Sequence, residues 1–594
     1  MTTHVQALAC SLLLAATAGA TGQVSQSGED ALVARVIADL PGSLVTQHSQ
    51  PQPLQARMAA AGVPAVSLAV FRDGQLAWAR AWGQRHAVDG GLVDTGTLFQ
   101  AASISKPVAA LGAMVLANNG QLALDQDIGP AVPGWQAATA ITPRQLLSHT
   151  AGLGVPGFPG YAAGHRLPTA AQVLAGVAPA NTAAVQVDGP VGQQARYSGG
   201  GYVVLQALLE ARTGQPFADW MQNAVLAPLG MADSSFVQPL PAASTGRAAS
   251  GHRRGQPVPG HWHNHPELAA AGLWTTPSDL GRVAAALQNH LAGRPSPLLS
   301  PATARQMLTP QPGGYGLGWV LDTRAGEPVF GHTGLNEGFE ALLAASASPR
   351  SPQHAVVVMT NGQGGTALAQ SLLRAVAREV GWAAYAPRRV VAHAPPAADL
   401  AALEGLYVGP GRSVAVEVVD GVAHLRDGGW QRAPLVPLSA TRFAVENRPF
   451  DLVFGQADAD SPRSLVLAGD GPAVQLQRQP QPLAAGKGAP PLLRGSMNNW
   501  GTTQAFSPDG DARWVLTLDL PAGLAEFKVA ADDWNRLNLG AALAAPPLQP
   551  GQDAQLVPMG DNLRLVVDRP GRHRFTLSAA DPQRPQLQVQ HLPD

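Results

Sequence analysis

A proline sets the register of the stretch that most constrains this chain, Phe99-Gln100-Ala101-Ala102-Ser103-Ile104-Ser105-Lys106-Pro107. Proline offers no N–H to the carbonyl four residues back, so a helix tolerates it only in its first turn. Pro107 therefore places Ser103 at or beside a helix N-terminus. On that helix Ser103 and Lys106, three residues apart, share one face. Ser103 then sits where free backbone N–H groups and the positive end of the helix dipole favour a developing negative oxygen.

The lysine itself is unusual. Of 39 basic side chains only three are lysine, at positions 106, 487 and 528, and the rest are arginine. Arginine cannot lose its proton in a protein, whereas a buried lysine can and then acts as a base. A lysine kept in an arginine-rich chain, one turn beyond a serine, points to chemistry rather than surface charge. Ser-x-x-Lys alone is a common chance match, so the rest of the chain has to decide.

At 594 residues the chain exceeds one core, and its length predicts about three to five domains. The net charge of −1, without long basic or acidic runs, excludes an electrostatic footprint for nucleic acid. The single cysteine, Cys10, lies in an apolar run from Ala7 to Ala20 that is too short to span a bilayer. Small residues near Ala18-Gly19-Ala20 make residues 1–22 read as a secretory leader, although Met1-Thr2-Thr3-His4 lacks the usual basic residue. Cleavage there would give a periplasmic or secreted mature chain with no cysteine, no disulfide and no segment reading as transmembrane.

Along the chain, Gly62–Val70 reads as a buried strand, Asp73-Gly74 as a hairpin turn and Leu76–Gly83 as the return strand. The Ser103 helix runs to about Asn119-Gly120. A mostly helical region follows, including a helix capped by Thr142 with Pro143 at its first position. Strand patterns return at Gly314–Asp322, Pro328–Gly331 and Ala341–Met359, and Thr366–Val380 reads as a helix. Residues 30–385 thus predict an α+β domain, an antiparallel sheet flanked by helices with a helical subdomain. Arg388–Pro396 and Pro480–Pro491 read as linkers. They bound a small all-β domain, 398–480, and a sandwich-sized all-β domain, 488–594.

Two further segments bear on Ser103. Arg196-Tyr197-Ser198-Gly199-Gly200-Gly201-Tyr202 puts a tyrosine on a Gly-rich loop, where its phenol can approach a nucleophile and relay a proton. Gly331-His332-Thr333-Gly334 follows a strand and can lay a backbone N–H against a bound carbonyl. With these three motifs in order, the chain resembles the class C β-lactamase and penicillin-binding-protein-like serine hydrolases, whose motifs are Ser-x-x-Lys, Tyr-x-Asn and Lys-Thr-Gly or His-x-Gly. The likeness extends over about residues 55–380. It includes Leu146–Leu153, Gly230-Met231, Ala271–Thr276 and Gly314–Trp319.

The resemblance implies Ser103 as acylated nucleophile, Lys106 as its base and Tyr197 as proton shuttle. It also implies an oxyanion hole from the backbone N–H groups of Ser103 and Leu335, with His332, Thr333, Gly334 and Gly199 lining the substrate site. Two departures shape the expected substrate. Gly199 stands where the family has asparagine, and His332, mostly neutral at pH 7, stands where the lactamases have a lysine. Both argue against efficient β-lactam hydrolysis and favour a small ester, amide or D-amino-acid peptide. The competing expectation is a non-catalytic cell-envelope or glycan-binding protein of the same fold.

No Gly-x-Ser-x-Gly elbow occurs. His149 reads as structural and Tyr202 as core. His261, His263 and His265 alternate as metal ligands can, but without a second histidine pair or cysteine they read as a solvated loop, so neither metal nor cofactor is expected. The 398–480 region resembles the small lipocalin-like modules that follow such hydrolases. The last domain resembles the immunoglobulin-like modules attached to glycogen- and pullulan-processing enzymes. That likeness implies Trp500, Lys528, Trp534 and Asn562 as α-glucan contacts, with indole faces stacking on glucose rings.

Overall fold

The structure, a computed structural model, describes residues 26–593 except 89, 410–411, 428–431, 456–462, 470–471, 480–489, 499, 533, 535–536, 543–544 and 581–584. The expected leader, Cys10 and Lys487 lie outside the described residues.

Seven strands form the central sheet: β1 (Ala65–Arg72), β2 (Gln75–His86), β3 (Gly90–Leu92), β4 (Val320–Arg324), β5 (Glu327–Asn336), β6 (Phe339–Ser346) and β7 (His354–Thr360). Their spatial order is β3-β2-β1-β7-β6-β5-β4, with every neighbour antiparallel. The two halves of the domain therefore meet at β1–β7, in the middle of the sheet. Asp73 and Gly74, both at positive φ, make the tight turn that matches the twist of β1 and β2.

β1 shows why this sheet needs cover on both faces. Val66, Leu68 and Val70 face a layer made by the helices Gln26–Ala38 and Gly365–Val380. The alternate residues Ala65, Ala69 and Phe71 face the larger helical side, as a strand's two-residue period requires. On that side the helix Ser105–Asn118 is buried nearly throughout and packs with Gly199–Thr213 and Leu268–Ala271. The short helix Pro143–Leu147 carries a capping box between Thr142 and Gln145, with Pro143 at its first position.

Beyond a parallel pairing of Leu44-Val45 with Arg388-Arg389, eight strands between Gly405 and Arg478 close a barrel. Tyr407, Leu425, Phe443, Leu452 and Leu465 fill its interior, so it is a packed core rather than a ligand cup. The last nine strands, Leu492 to His591, wrap a separate core around Phe527 and Phe575. The barrel is tied to the sheet-and-helix domain by Arg388, which donates to Asp451, and by Glu446, which accepts from the Ser43 backbone and hydroxyl. Arg426 ties the barrel to the last domain by donating to the Met559 carbonyl and to Asp561.

Candidate active site

The helix that carries Lys106 begins at Ser105 and is preceded by a 3₁₀ turn, Ala102–Ile104, so Ser103 lies in the entry turn and is only half-buried. Ala102 enters this turn at φ 48, a conformation that costs a non-glycine residue about 1 kcal/mol or more. Lys106 points back under the turn. Its Nζ donates to Ser103 Oγ at 3.1 Å and to the Ala270 carbonyl at 2.9 Å. The side chain is 2% exposed, and among the described residues no carboxylate forms an ion pair with it. Burial alone brings its pKa down to about 7. The rings of Tyr197 and Tyr202 lie 4.9 and 5.7 Å from Nζ.

Tyr197 precedes Ser198, which caps the helix Gly199–Thr213 by accepting the Gly201 N–H at 2.9 Å. Burial pushes the Tyr197 phenol up to about 12, a hydrogen bond with Ser103 pulling the other way. The phenol therefore keeps its proton at neutral pH. His149 holds it in place, its ring 4.4 Å from Tyr197, 5.3 Å from Tyr202 and 5.0 Å from Tyr315. The His149 Nδ1 accepts the Ser198 N–H at 3.1 Å, so its proton sits on Nε2. Burial, then the nearby Lys106 and His332, keep the ring neutral by holding its pKa well below the usual range.

β5 closes the site. His332 and Gly334 face inward while Thr333 and Leu335 are exposed. A Cβ on Gly334 would lie 2.2 Å from the Ala101 carbonyl, so only glycine lets this strand approach the nucleophile turn. β4 pairs with β5 only as far as Gly331, leaving the edge from His332 onward unpaired by β4. Asn336 and Phe339 close the two-residue β5–β6 turn. Hydrogen-bonded pairs alternate from there, so the Leu335 N–H points away from β6.

His332 Nδ1 donates to the Thr333 carbonyl at 2.6 Å, and its buried Nε2 has no hydrogen-bond partner. Burial, with Lys106 second, takes its pKa down to about 4. The ring is thus a neutral acceptor and supplies no positive charge. At Gly199 a Cβ would meet the Phe158 ring at 2.9 Å and the Pro156 carbonyl at 3.2 Å. Phe158 occupies the space into which an asparagine side chain would extend.

The structure thus brings Ser103, Lys106, Tyr197, His332 and Gly334 together. The sequence reading gave no site role to His149, Phe158 or Tyr315. Of these, His149 and Tyr315 lay inside segments already noted, Leu146–Leu153 and Gly314–Trp319, and could have been found there. Behind Lys106, Glu267 is fully buried on the segment leading to Ala270, and burial lifts its carboxyl to about 7. Among the alternating histidines, His261 contacts Ser250, His263 contacts the Pro159 carbonyl and His265 is buried. No group of three or more metal-ligating side chains occurs among the described residues.

In the last domain the rings of Trp500 and Trp534 lie 6.2 Å apart at 40°. The Arg494 guanidinium sits 4.0 Å over Trp534 and donates to the Trp500 carbonyl at 2.8 Å. Lys528 is half-buried across from Arg494, and burial, then Arg426 of the barrel, lowers its pKa. Asn562 follows Asp561, the residue that Arg426 holds. Arg494 thus faces Lys528 across the strand pair and also touches both tryptophans.

A family model described as Beta-lactamase matches residues 52–380. "Penicillin-binding protein 4" of Amycolatopsis lactamdurans is 30% identical over 374 residues, 58% of this chain and 93% of that protein. "Esterase EstB" of Burkholderia gladioli is 31% identical over 201 residues, 32% of this chain and 50% of that protein. Among solved structures, the octameric penicillin-binding protein homologue from Pyrococcus abyssi is 22% identical and covers 71% of this chain and 98% of its own, with a TM-score of 0.48. Among the described residues no helix is long and apolar enough to cross a membrane.

Proposed function

The chain belongs to the Beta-lactamase family, and on that premise we propose that it is a serine hydrolase that cleaves a small ester or amide through an acyl-enzyme on Ser103. The observation that carries the proposal is the contact between Lys106 Nζ and Ser103 Oγ, 3.1 Å, made by a buried lysine with a pKa near 7. Such a lysine is substantially neutral at physiological pH and can take the Ser103 proton as the oxygen attacks the substrate carbonyl.

The negative oxygen that forms is met by the backbone N–H groups of Ser103 and Leu335, at the helix entry and on the open edge of β5. Tyr197 then gives its phenolic proton to the leaving alcohol or amine and recovers one from Lys106. A water enters along the same path, loses its proton to this pair, and releases the acid while Ser103 regains its hydrogen. A phenol near 12 is suited to donate a proton and poorly suited to abstract one. That divides the roles: Lys106 as base, Tyr197 as donor.

Neutral His332 and the Phe158 ring beside Gly199 favour an acyl group with an apolar side and no carboxylate next to the scissile bond. The names of the relatives, a penicillin-binding protein and an esterase, fit an ester or a D-amino-acid amide as substrate. Export through residues 1–22 and an α-glucan contact by Trp500, Lys528, Trp534 and Asn562 belong to the same reading. The glucan contact is tested by mobility of the full chain in a native gel containing glycogen, where Trp534→Ala should remove any retardation. The catalytic proposal is tested by Ser103→Ala, expected to lose on the order of 10⁴-fold in hydrolysis of p-nitrophenyl esters. Substantial residual turnover in a folded variant would remove Ser103 as the nucleophile, whereas a wild-type chain with no turnover and no acyl adduct would favour the alternative, a non-catalytic binding protein of this fold.

A further inference from the structure

The helical cover of the central sheet stops at Gly365–Val380, which packs on β6 and β7. Beyond it the barrel takes over, and the two touch only in part, where Arg374 donates to Asn447. A cavity of about 960 Å³ remains, backed by Val329–Thr333 of β5 and walled on the far side by barrel residues 447–451. Tyr385, Phe450 and Leu373 give it apolar surface.

Its charge is unbalanced. Five guanidiniums line it, those of Arg324, Arg374, Arg388, Arg442 and Arg448, against two carboxylates, Asp322 and Asp451. Asp451 is shared between Arg388 and Arg442, and Asp322 pairs with Arg324. Arg448 is held by Asp427, outside the lining. Arg374 forms no ion pair among the described residues. Its donors end on neutral oxygens: the Pro41 carbonyl, Asn447 Oδ1 and Ser371 Oγ. Burial takes its pKa down to about 10; of the nearby charges Glu446 acts most strongly and opposes this, while Arg57 and Arg324 push the same way as burial. Surplus positive charge on the wall of a cavity is costly unless an anion meets it. Planar guanidinium forks match carboxylate and phosphate oxygens alike.

We propose that this cavity between sheet and barrel is a binding site for a small amphiphilic anion, a carboxylate or phosphate ester with an apolar body, held by Arg374 and Arg324 with its body against Tyr385 and Phe450. The cavity shares the strand β5, including His332 and Thr333, with the candidate active site but is not lined by Ser103, Lys106 or Tyr197, and the proposal does not rest on their chemistry.

The test is calorimetric titration of the full chain with hexanoate, hexyl phosphate, inorganic phosphate and 1-hexanol. Saturable binding of hexanoate or hexyl phosphate is expected, and which of the two binds more tightly identifies the headgroup. Inorganic phosphate should bind more weakly and hexanol not at all. Arg374→Met and Arg324→Gln should each weaken binding at least tenfold while leaving p-nitrophenyl ester turnover unchanged. Arg324 is 41% exposed in its side chain, so its variant should fold even if the Arg374 variant does not. The proposal is overturned if neither anion binds saturably, if hexanol binds as well as hexanoate, or if Arg324→Gln in a folded chain binds as tightly as the wild type.

Discussion

Replacing Lys106 by methionine should make the hydrolase domain more stable at neutral pH while removing its chemistry. Lys106 is 2% exposed, and burial lowers its pKa from 10.5 in water to about 7. The unfolded chain therefore holds this proton more tightly than the folded one. The resulting penalty on folding is fully present below pH 7 and vanishes as the pH rises through 10.5. At about 1.4 kcal/mol per tenfold difference in proton affinity, the penalty is roughly 4 kcal/mol at pH 7 and roughly 1 kcal/mol at pH 9.5. Against it stand the two hydrogen bonds that Lys106 makes to Ser103 and Ala270, worth about 1 kcal/mol each. Methionine fills a similar volume, so the packing cost is small. The variant should gain about 2 kcal/mol at pH 7 and lose about 1 kcal/mol at pH 9.5. Urea unfolding at the two pH values reads this directly, followed by the fluorescence of Trp274 and Trp319, both buried in the same core. A stability difference that does not change with pH, or a variant less stable than wild type at pH 7, would refute the reasoning.

The pH profile of kcat/KM on a p-nitrophenyl ester should rise through about pH 7, the lysine's pKa, and stay level to pH 10 because the Tyr197 phenol titrates only near 12; a descending limb centred near pH 9 would remove Tyr197 from the donor role. Gly334→Ala should lower kcat by on the order of 10²-fold, because the new Cβ would push β5 off the Ala101 carbonyl, and unchanged kinetics would show that Leu335 is not the oxyanion donor. Gly199→Asn alone should impair the enzyme by colliding with Phe158. Adding Phe158→Gly should restore at least part of the loss, and no recovery in a folded double variant would mean that Phe158 is not what excludes the side chain.

How much of this was legible in the sequence depended on how local each signal was. The Ser103–Lys106 spacing, the helix start marked by Pro107 and the Thr142 cap with Pro143 behind it are each written within one helical turn, and the structure shows all three. Asp73-Gly74 announced the hairpin because only a few residue types accept both turn conformations. Burial of Lys106 was expected, but its depth comes from the Ala270 segment, far along the chain. His149 read as structural from its own neighbours. Its support of Tyr197 and of the Ser198 N–H depends on a loop that meets it only in three dimensions. Phe158 carried no signal, since one aromatic residue in a Pro/Gly-rich loop has no period. Lys528 was grouped with the tryptophans by order along the chain; that the charge of the barrel's Arg426 also acts on it is an effect between domains that no single-domain pattern encodes.

The most direct measurement of the central claim is the mass of the protein trapped during turnover. Tyr197→Phe, which keeps Lys106 and Ser103 but slows loss of the acyl group, is mixed with a p-nitrophenyl ester, quenched in acid and digested. One acyl group should appear, on the peptide that contains Ser103, and be absent from Ser103→Ala treated in the same way. Turnover of the ester without an adduct on that peptide, or an adduct that persists in Ser103→Ala, would contradict the account.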